Sequence, residues 1–382
     1  MVKFNLLLIG DAKHQYIISF SRWLKMVFPN IFISIISTNT KNVTNTYSDF
    51  YDEVFVIQNK FKWILKIKGI RTVYRAIKVS HIIAKKKLGR DAILVHYAYP
   101  WLSLVSKRLK NKTLNFTVAL WGSDFYRCRN LNNLKKILKQ SDNIIIDTPQ
   151  MIQDFNKKFG KYHSKVHLCY FGGEAIENLR DFKETNVTRE QSCAIFKFTT
   201  DKLNVTIGHN GSEGHQHITI INKLLKLNTE IAKKIRVILP MTYGLKPDYL
   251  KKIKNICQSA SFEVKIITEF LDANKVAHLR NLTDIMINLQ ITDSFSASMK
   301  EVLYCGGVVI NGNWLPYHFL KEMGIYFVEV NSVQEISEKL NEVIMNYPYF
   351  KDKSKENSAK IYDISSWSKV ITKWKEVIEL KR

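Results

Sequence analysis

Acidic residues are scarce in this chain: 34 Asp and Glu stand against 58 Lys and Arg, a formal net charge of +24 over 382 residues. That imbalance points to a polyanionic partner, whether nucleic acid, an anionic bilayer surface or a phosphorylated substrate. Cysteine is also sparse. Cys128, Cys169, Cys193, Cys257 and Cys305 are widely spaced, with no Cys-x-x-Cys pair, which argues against a disulfide framework or a structural zinc site and fits a reducing cytoplasm. No apolar run reaches the roughly 18 residues that span a bilayer. Met1 to Gly10 holds only a short apolar segment and no small-residue cleavage site, so it reads as a core strand rather than a signal peptide. Fixed-period repeats and low-complexity tracts are likewise missing.

What is present is ordinary globular composition, 46% hydrophobic and 24% charged, in a chain long enough for two domains that each bury a core. Apolar runs alternate with helix-period segments. Val2 to Ile9, Ile31 to Ser37, Val54 to Ile57, Ala92 to His96, Phe116 to Trp121, Asn143 to Ile146 and Val166 to Cys169 read as strands. Tyr16 to Val27 and Trp101 to Leu109 read as helices. After a polar stretch, a second series follows: Val205 to Ile207, Arg236 to Leu239, Glu263 to Ile267, Ile285 to Leu289, Val308 to Ile310 and Tyr326 to Val328. Such alternation predicts an α/β fold of parallel sheets covered on both faces, in two Rossmann-like domains facing a central cleft. The expected boundaries are 1–173 for the first domain, 174–190 for a linker and 191–360 for the second domain. Residues 361–382 are expected to form a C-terminal helix crossing back, with Trp367, Val370, Ile371, Trp374, Val377 and Ile378 at helical spacing.

Much of the charge sits between residues 60 and 90. Lys60, Lys62, Lys66, Lys68, Arg71, Arg75, Lys78, Lys85, Lys86, Lys87 and Arg90 occur there without one acidic residue. Trp63, Ile64, Ile67, Ile70, Tyr74 and Ile77 interleave with them. A basic amphipathic helix with an aromatic edge predicts contact with an anionic membrane surface. Nucleic acid is the competing partner, but no DNA- or RNA-reading motif is present.

Candidate chemistry gathers in loops that follow strands. Asp11 and His14 follow the first strand, His96 ends the fourth, and Trp121-Gly122-Ser123-Asp124 ends the fifth. A carboxylate or imidazole there could act as general base toward a hydroxyl. In the second half, Gly208-His209-Asn210-Gly211-Ser212-Glu213-Gly214 lies between a strand and a helix, and its glycines permit close backbone approach to phosphates. It lacks the Lys-Ser/Thr ending of a P-loop. His209, His215 and His217 have no carboxylate or cysteine at ligand spacing, so no metal is expected. The segment Ile291 to Pro316 places Asp293 at the mouth of a helix and Glu301 inside it. Ser294 or Ser296 is the N-cap, and Gly306-Gly307 is the stop. Amides of such a first turn suit a diphosphate, with Glu301 placed to accept hydrogen bonds from a ribose.

The Asp293-x7-Glu301 spacing in DSFSASMKE, followed by Gly-Gly-Val-Val-Ile, resembles the Glu-x7-Glu element of glycosyltransferase family 4, with Asp in the first position. VHYAYPWLS, Val95 to Ser103, resembles the His-bearing strand end of that family's acceptor domain. GDAKH, LWGSDFY, GHNGSEGHQHI and ILPMTYG are similar to segments of the transferases that add 4-acetamido-4,6-dideoxygalactose in enterobacterial common antigen synthesis. The resemblance implies a GT-B glycosyltransferase that works without a metal or other cofactor. Gly208, Asn210, Ser212, Tyr243, Ser294, Ser296 and Glu301 would hold the nucleotide-sugar, and Asp293 would face the donor sugar. Asp11, His14 and Asp124 would serve catalysis, with His96 and Trp121 on the acceptor side. The acceptor implied is a polyprenyl-diphosphate-linked oligosaccharide of a bacterial surface polysaccharide, O-antigen or capsule, reached by a cytoplasmic enzyme on the inner face of the membrane. The alternatives are a sugar-nucleotide epimerase or phosphorylase on the same fold, or a non-enzymatic basic nucleic-acid-binding protein.

Overall fold

A computed structural model describes residues 3–38, 49–57, 68–86, 88 and 90–380. The chain divides into two compact units: Met1–Gly172 together with Trp367–Arg382, and Gly173–Ser366. Among the described residues the first holds seven strands, β1 (Phe4–Gly10), β2 (Ile31–Ser37), β3 (Glu53–Val56), β4 (Ala92–His96), β5 (Asn115–Ala119), β6 (Asn143–Ile146) and β7 (Val166–Leu168). The second holds six, β8 (Leu203–Ile207), β9 (Ile235–Pro240), β10 (Glu263–Ile267), β11 (Ile285–Asn288), β12 (Val308–Gly312) and β13 (Val328–Val330).

Every pairing is parallel, in the orders β3-β2-β1-β4-β5-β6-β7 and β10-β9-β8-β11-β12-β13. In each sheet the first strand is central and the order reverses beside it. The C-terminal ends of β1 and β4, and of β8 and β11, therefore flank the switch points where open α/β sheets take ligands.

Parallel strands covered on both faces read as continuous apolar runs. On β1 the faces separate by the two-residue period: Leu7 and Ile9 join one core, Leu6 and Leu8 the other. The second face of the sheet is covered by the helices Gln15–Val27 and Trp367–Glu379, whose apolar stripe includes the fully buried Trp367 and Trp374. Asn115 pins the latter helix by donating to the carbonyls of Val377 and Ile378 at 2.7 and 3.0 Å.

Several segments differ from the sequence reading. Residues 174–190, expected as a polar linker, fold into the second unit as the helix Glu174–Glu184 and the start of Arg189–Ile195. Ala175, Ile176, Glu177 and Leu179 are buried, and Arg180, half-buried, reaches from Glu177 to Glu184 on the outer side of the helix. The helix expected over 101–109 is two pieces, a 3₁₀ turn Pro100–Leu104 and the helix Ser106–Lys110, parted at Val105, where φ is −122°. The last strand runs Val328–Val330 rather than from Tyr326. Of the basic run, residues 60–67, 87 and 89 lie outside the described residues. Lys68–Lys86 is a helix. Among the described residues no helix is long and apolar enough to cross a membrane.

Candidate functional site

In the second unit, β8 runs into Gly208, whose φ is +63° and which packs directly on the His215 ring. A Cβ at this position would lie 2.9 Å from His215 Cγ, so only glycine fits. The loop then folds on itself. Asn210 Oδ1 accepts the Ser212 amide at 2.8 Å, and Ser212 Oγ accepts the Gly214 amide at 3.4 Å. The Gly211 amide donates to the carbonyl of Tyr243, whose ring is exposed. Gln216, in left-handed backbone, donates to Leu289 O at 2.6 Å, and the Ile291 amide donates to Gly214 O at 2.9 Å. The loop after β8 is thereby stitched to the loop after β11, across the switch point.

The second loop is held by Asp293. Its Oδ2 accepts from Gln290 Nε2 at 2.7 Å and from the hydroxyl of the fully buried Tyr317. Burial, then the Asp293 charge, push the Tyr317 pKa well above its usual value, so the hydroxyl stays protonated and donates. The same oxygen of Tyr317 accepts the Ser296 amide at 3.1 Å. Ser294, next along the loop from Asp293, is half-buried. Ser296 is the N-cap of the helix Ala297–Tyr304: its Oγ accepts the Met299 amide.

Inside that helix Glu301 is 8% exposed, and its Oε2 accepts from Arg280 Nε at 2.8 Å. Arg280 also donates to Ser298 Oγ at 2.9 Å, while its buried Nη1 has no hydrogen-bond partner. A guanidinium with one buried unpaired donor is poised for an anion. His209, packed edge-on to His215 with ring centroids 4.3 Å apart, is close enough to Arg280 to feel its charge. Burial first, then His215, Arg280 and His217, hold the His209 pKa well below its usual value, so the imidazole is neutral. Among the described residues no group of three or more His, Cys, Asp or Glu is placed to hold a metal ion. The spacing of DSFSASMKE indicated the two carboxylates but not their partners. Arg280, Gln290 and Tyr317 come from other elements, and only Arg280 carried a signal, as a lone cation in the largely apolar stretch 276–282.

In the first unit, Asp11 follows β1 and its Oδ1 accepts the Lys13 amide at 3.0 Å. His14 lies edge-on to Trp121 at 4.9 Å and stacks on Tyr16 at 5.6 Å. Loss of solvent against these rings lowers its pKa, and Asp11 opposes the shift. His96 is 1% exposed among Phe20, Trp121 and Trp374, with neither nitrogen hydrogen-bonded. Burial brings its pKa down to about 3. Asp124 is also buried, and each oxygen accepts a backbone amide: Oδ2 that of Ala98 at 2.7 Å, Oδ1 that of Trp121 at 2.8 Å. Burial raises its pKa to about 6 despite those bonds. Asp124 thus braces the loops after β4 and β5, including Tyr97, whose φ of +83° is strained for a residue with a Cβ. Tyr99 accepts from Thr38 Oγ1 at 3.2 Å and lies near Arg75, whose buried Nε has no hydrogen-bond partner.

No family model and no curated protein matches the sequence. Solved structures do match over nearly the whole chain. Sucrose-phosphate synthase from Thermosynechococcus elongatus is similar with a TM-score of 0.76 at 12% identity, over 98% of each chain. Anabaena HepE in complex with UDP-glucose gives 0.69 at 13% identity, over 98% of this chain and 99% of that one. The UDP-GlcNAc 2-epimerase from Neisseria meningitidis, bound to UDP-GlcNAc, gives 0.65 at 15% identity over 98% of each. At these identities the likeness shows the fold: two parallel-sheet α/β domains of the GT-B type.

Proposed function

We propose that this chain is a glycosyltransferase that moves a sugar from a nucleotide-sugar to a lipid-linked glycan acceptor of a bacterial surface polysaccharide. One observation carries the reading. At the switch point of the second sheet, the Gly208 loop, the Ser296-capped helix start and the unpaired Nη1 of Arg280 converge. A helix N-terminus and a guanidinium beside that loop form a diphosphate site, and they stabilise the charge that develops on the departing nucleoside diphosphate without a metal. Glu301 orients Arg280 through Oε2 and offers its other oxygen to the ribose. Asp293, locked by Tyr317 and Gln290, faces the donor sugar. HepE binds UDP-glucose and the epimerase binds UDP-GlcNAc on similar folds, which supports a nucleotide-sugar here.

On the acceptor side Asp11 and the neutral imidazole of His14 are the groups that can take a proton from a hydroxyl, while Asp124, both of whose oxygens are engaged, positions the loops. The lipid-linked acceptor rests on charge and on an apolar stripe. The helix Lys68–Lys86 contains no acidic residue, and it exposes Ile70, Val73 and Ile77 near the equally exposed Leu104. Such a face suits the boundary of an anionic bilayer.

A thermal-shift screen against UDP-, GDP- and dTDP-sugars tests the donor half. One nucleotide class should stabilise the protein saturably, and Arg280→Gln should abolish the effect. No stabiliser among them would sink the reading. The epimerase likeness supports a second reading, separated by its product: an epimerase converts the nucleotide-sugar with no acceptor present.

A further inference from the structure

At the opposite end of the second sheet from the Gly208 loop, the N-terminal ends of β8 and β11 open into a cavity of about 660 Å³, within the size range of small-molecule sites. Four cations line it, Arg189, Lys202, Lys234 and Lys351, with the carboxylates of Asp201 and Asp284. Leu203 to Gly208 is five residues of extended chain, about 16 Å, so this cavity is separate from the nucleotide loop.

The charges do not cancel. Asp284, 5% exposed, is spent internally: it accepts from Arg189 Nε and Nη2 at 2.9 and 2.7 Å, from the Asn204 amide at 2.8 Å and from the Tyr347 hydroxyl at 3.3 Å. Asp201 is exposed at the rim, and Lys202 turns to Glu263 at 3.0 Å. Lys234 and Lys351 have no ion-pair partner among the described residues. Lys351 lies midway along the helix Tyr347–Lys355, whose first residue, Tyr347, also lines the cavity and brings the positive end of the helix to it. Burial lowers the Lys351 pKa, with Asp284 and Cys305 opposing and Arg189 and Lys355 adding to the shift. Lys351 is half-buried and Lys234 exposed, and the nearest carboxylate, Asp284, is already engaged by Arg189, so an anion in the cavity offsets the remaining positive charge.

We propose that this cavity binds a small phosphorylated metabolite, a phosphate monoester held between Lys351 and Lys234 with its remainder in the polar space beside Tyr347. Two elements connect it to the nucleotide loop. The helix Ala297–Tyr304 starts at Ser296, in the loop after β11 that is stitched to the Gly208 loop, and ends at Cys305 on the cavity wall, and Asn281 on the wall directly follows Arg280. Occupancy is therefore positioned to change donor affinity. The binding site itself stands on the cavity and its charges alone and does not depend on the transferase reading.

The test is titration of the full chain with inorganic phosphate and with glucose 6-phosphate, followed by thermal shift and calorimetry. The parallel proteins are Arg280→Gln, Lys351→Met and Lys234→Met. Saturable binding of glucose 6-phosphate is expected in wild type and in Arg280→Gln, and at least tenfold weaker in each lysine variant. Lys351→Met removes a half-buried charge whose neighbouring carboxylate, Asp284, keeps its pairing with Arg189, so its ligand-free melting temperature should change little, and its response to a stabilising nucleotide should persist. Absence of saturable binding overturns the proposal. So does binding that survives both lysine substitutions and disappears in Arg280→Gln, because the anion then uses only the nucleotide loop.

Discussion

Separating Arg280 from Glu301 is the perturbation with the largest expected effect on the donor unit. The pair meets at 2.8 Å with side chains 6% and 10% exposed, so truncating either leaves the other charge in a largely dry site. Breaking a buried pair this way costs about 3–5 kcal/mol. For a unit of this size each kcal/mol lowers the midpoint by roughly 2–4 °C, so Glu301→Ala should melt on the order of 10 °C lower. Replacing both members, Arg280→Met with Glu301→Leu, removes the stranded charge and should recover most of that loss. Urea denaturation of the wild type, the two single variants and the double variant measures the coupling directly. Single losses below about 1 kcal/mol with no coupling, the range of an exposed surface pair, would refute the claim that Glu301 is first of all the anchor of Arg280. The double variant should bind no nucleoside diphosphate even though it is folded.

Three further outcomes follow from the geometry. The His96 pKa, depressed to about 3 by burial, contributes stability that is present above the unfolded value of 6.5 and is lost as pH falls toward 3; unfolding free energies from urea denaturation at pH 7 and pH 5 should differ by on the order of 1–2 kcal/mol more in wild type than in His96→Phe. Asp124 has the opposite sign: its folded pKa of about 6 lies above the usual 3.8, so its ionisation costs stability as pH rises between those values. Asp124→Ala should nonetheless destabilise by about 2–4 kcal/mol, because it strands the buried amides of Ala98 and Trp121; a loss under 1 kcal/mol by denaturation would contradict the bracing role. Gly208→Ala meets both a φ of +63° and the His215 ring, so it should cost about 1–2 kcal/mol and weaken nucleotide binding at least tenfold by calorimetry.

The sheets are legible because parallel strands are written as short apolar runs. Ile31–Ser37, Ala92–His96, Asn143–Ile146 and Glu263–Ile267 have the bounds the sequence suggests. Residues 174–190 read as a linker because a solvated amphipathic helix and a linker share a composition, and only the burial of Ala175, Ile176 and Leu179 separates them. Within the candidate site, Ser296 and the strand-end glycine at 208 announce themselves through local backbone chemistry. The pairing of Glu301 with Arg280, and of Asp293 with Tyr317, joins residues 21 and 24 positions apart through tertiary packing, which no local pattern encodes. Asp124 shows the same limit: its two amide partners, on Ala98 and Trp121, are not written in the local Gly-Ser-Asp pattern.

The most direct measurement of the central claim is product analysis by mass spectrometry after incubating the purified chain with the stabilising nucleotide-sugar, with and without a polyprenyl-diphosphate-linked glycan. Transfer predicts one added sugar on the glycan and an equal amount of released nucleoside diphosphate, both dependent on acceptor and both lost in Arg280→Gln. Conversion of the nucleotide-sugar to an isomer without acceptor, or no turnover of a nucleotide-sugar that demonstrably binds, would contradict it.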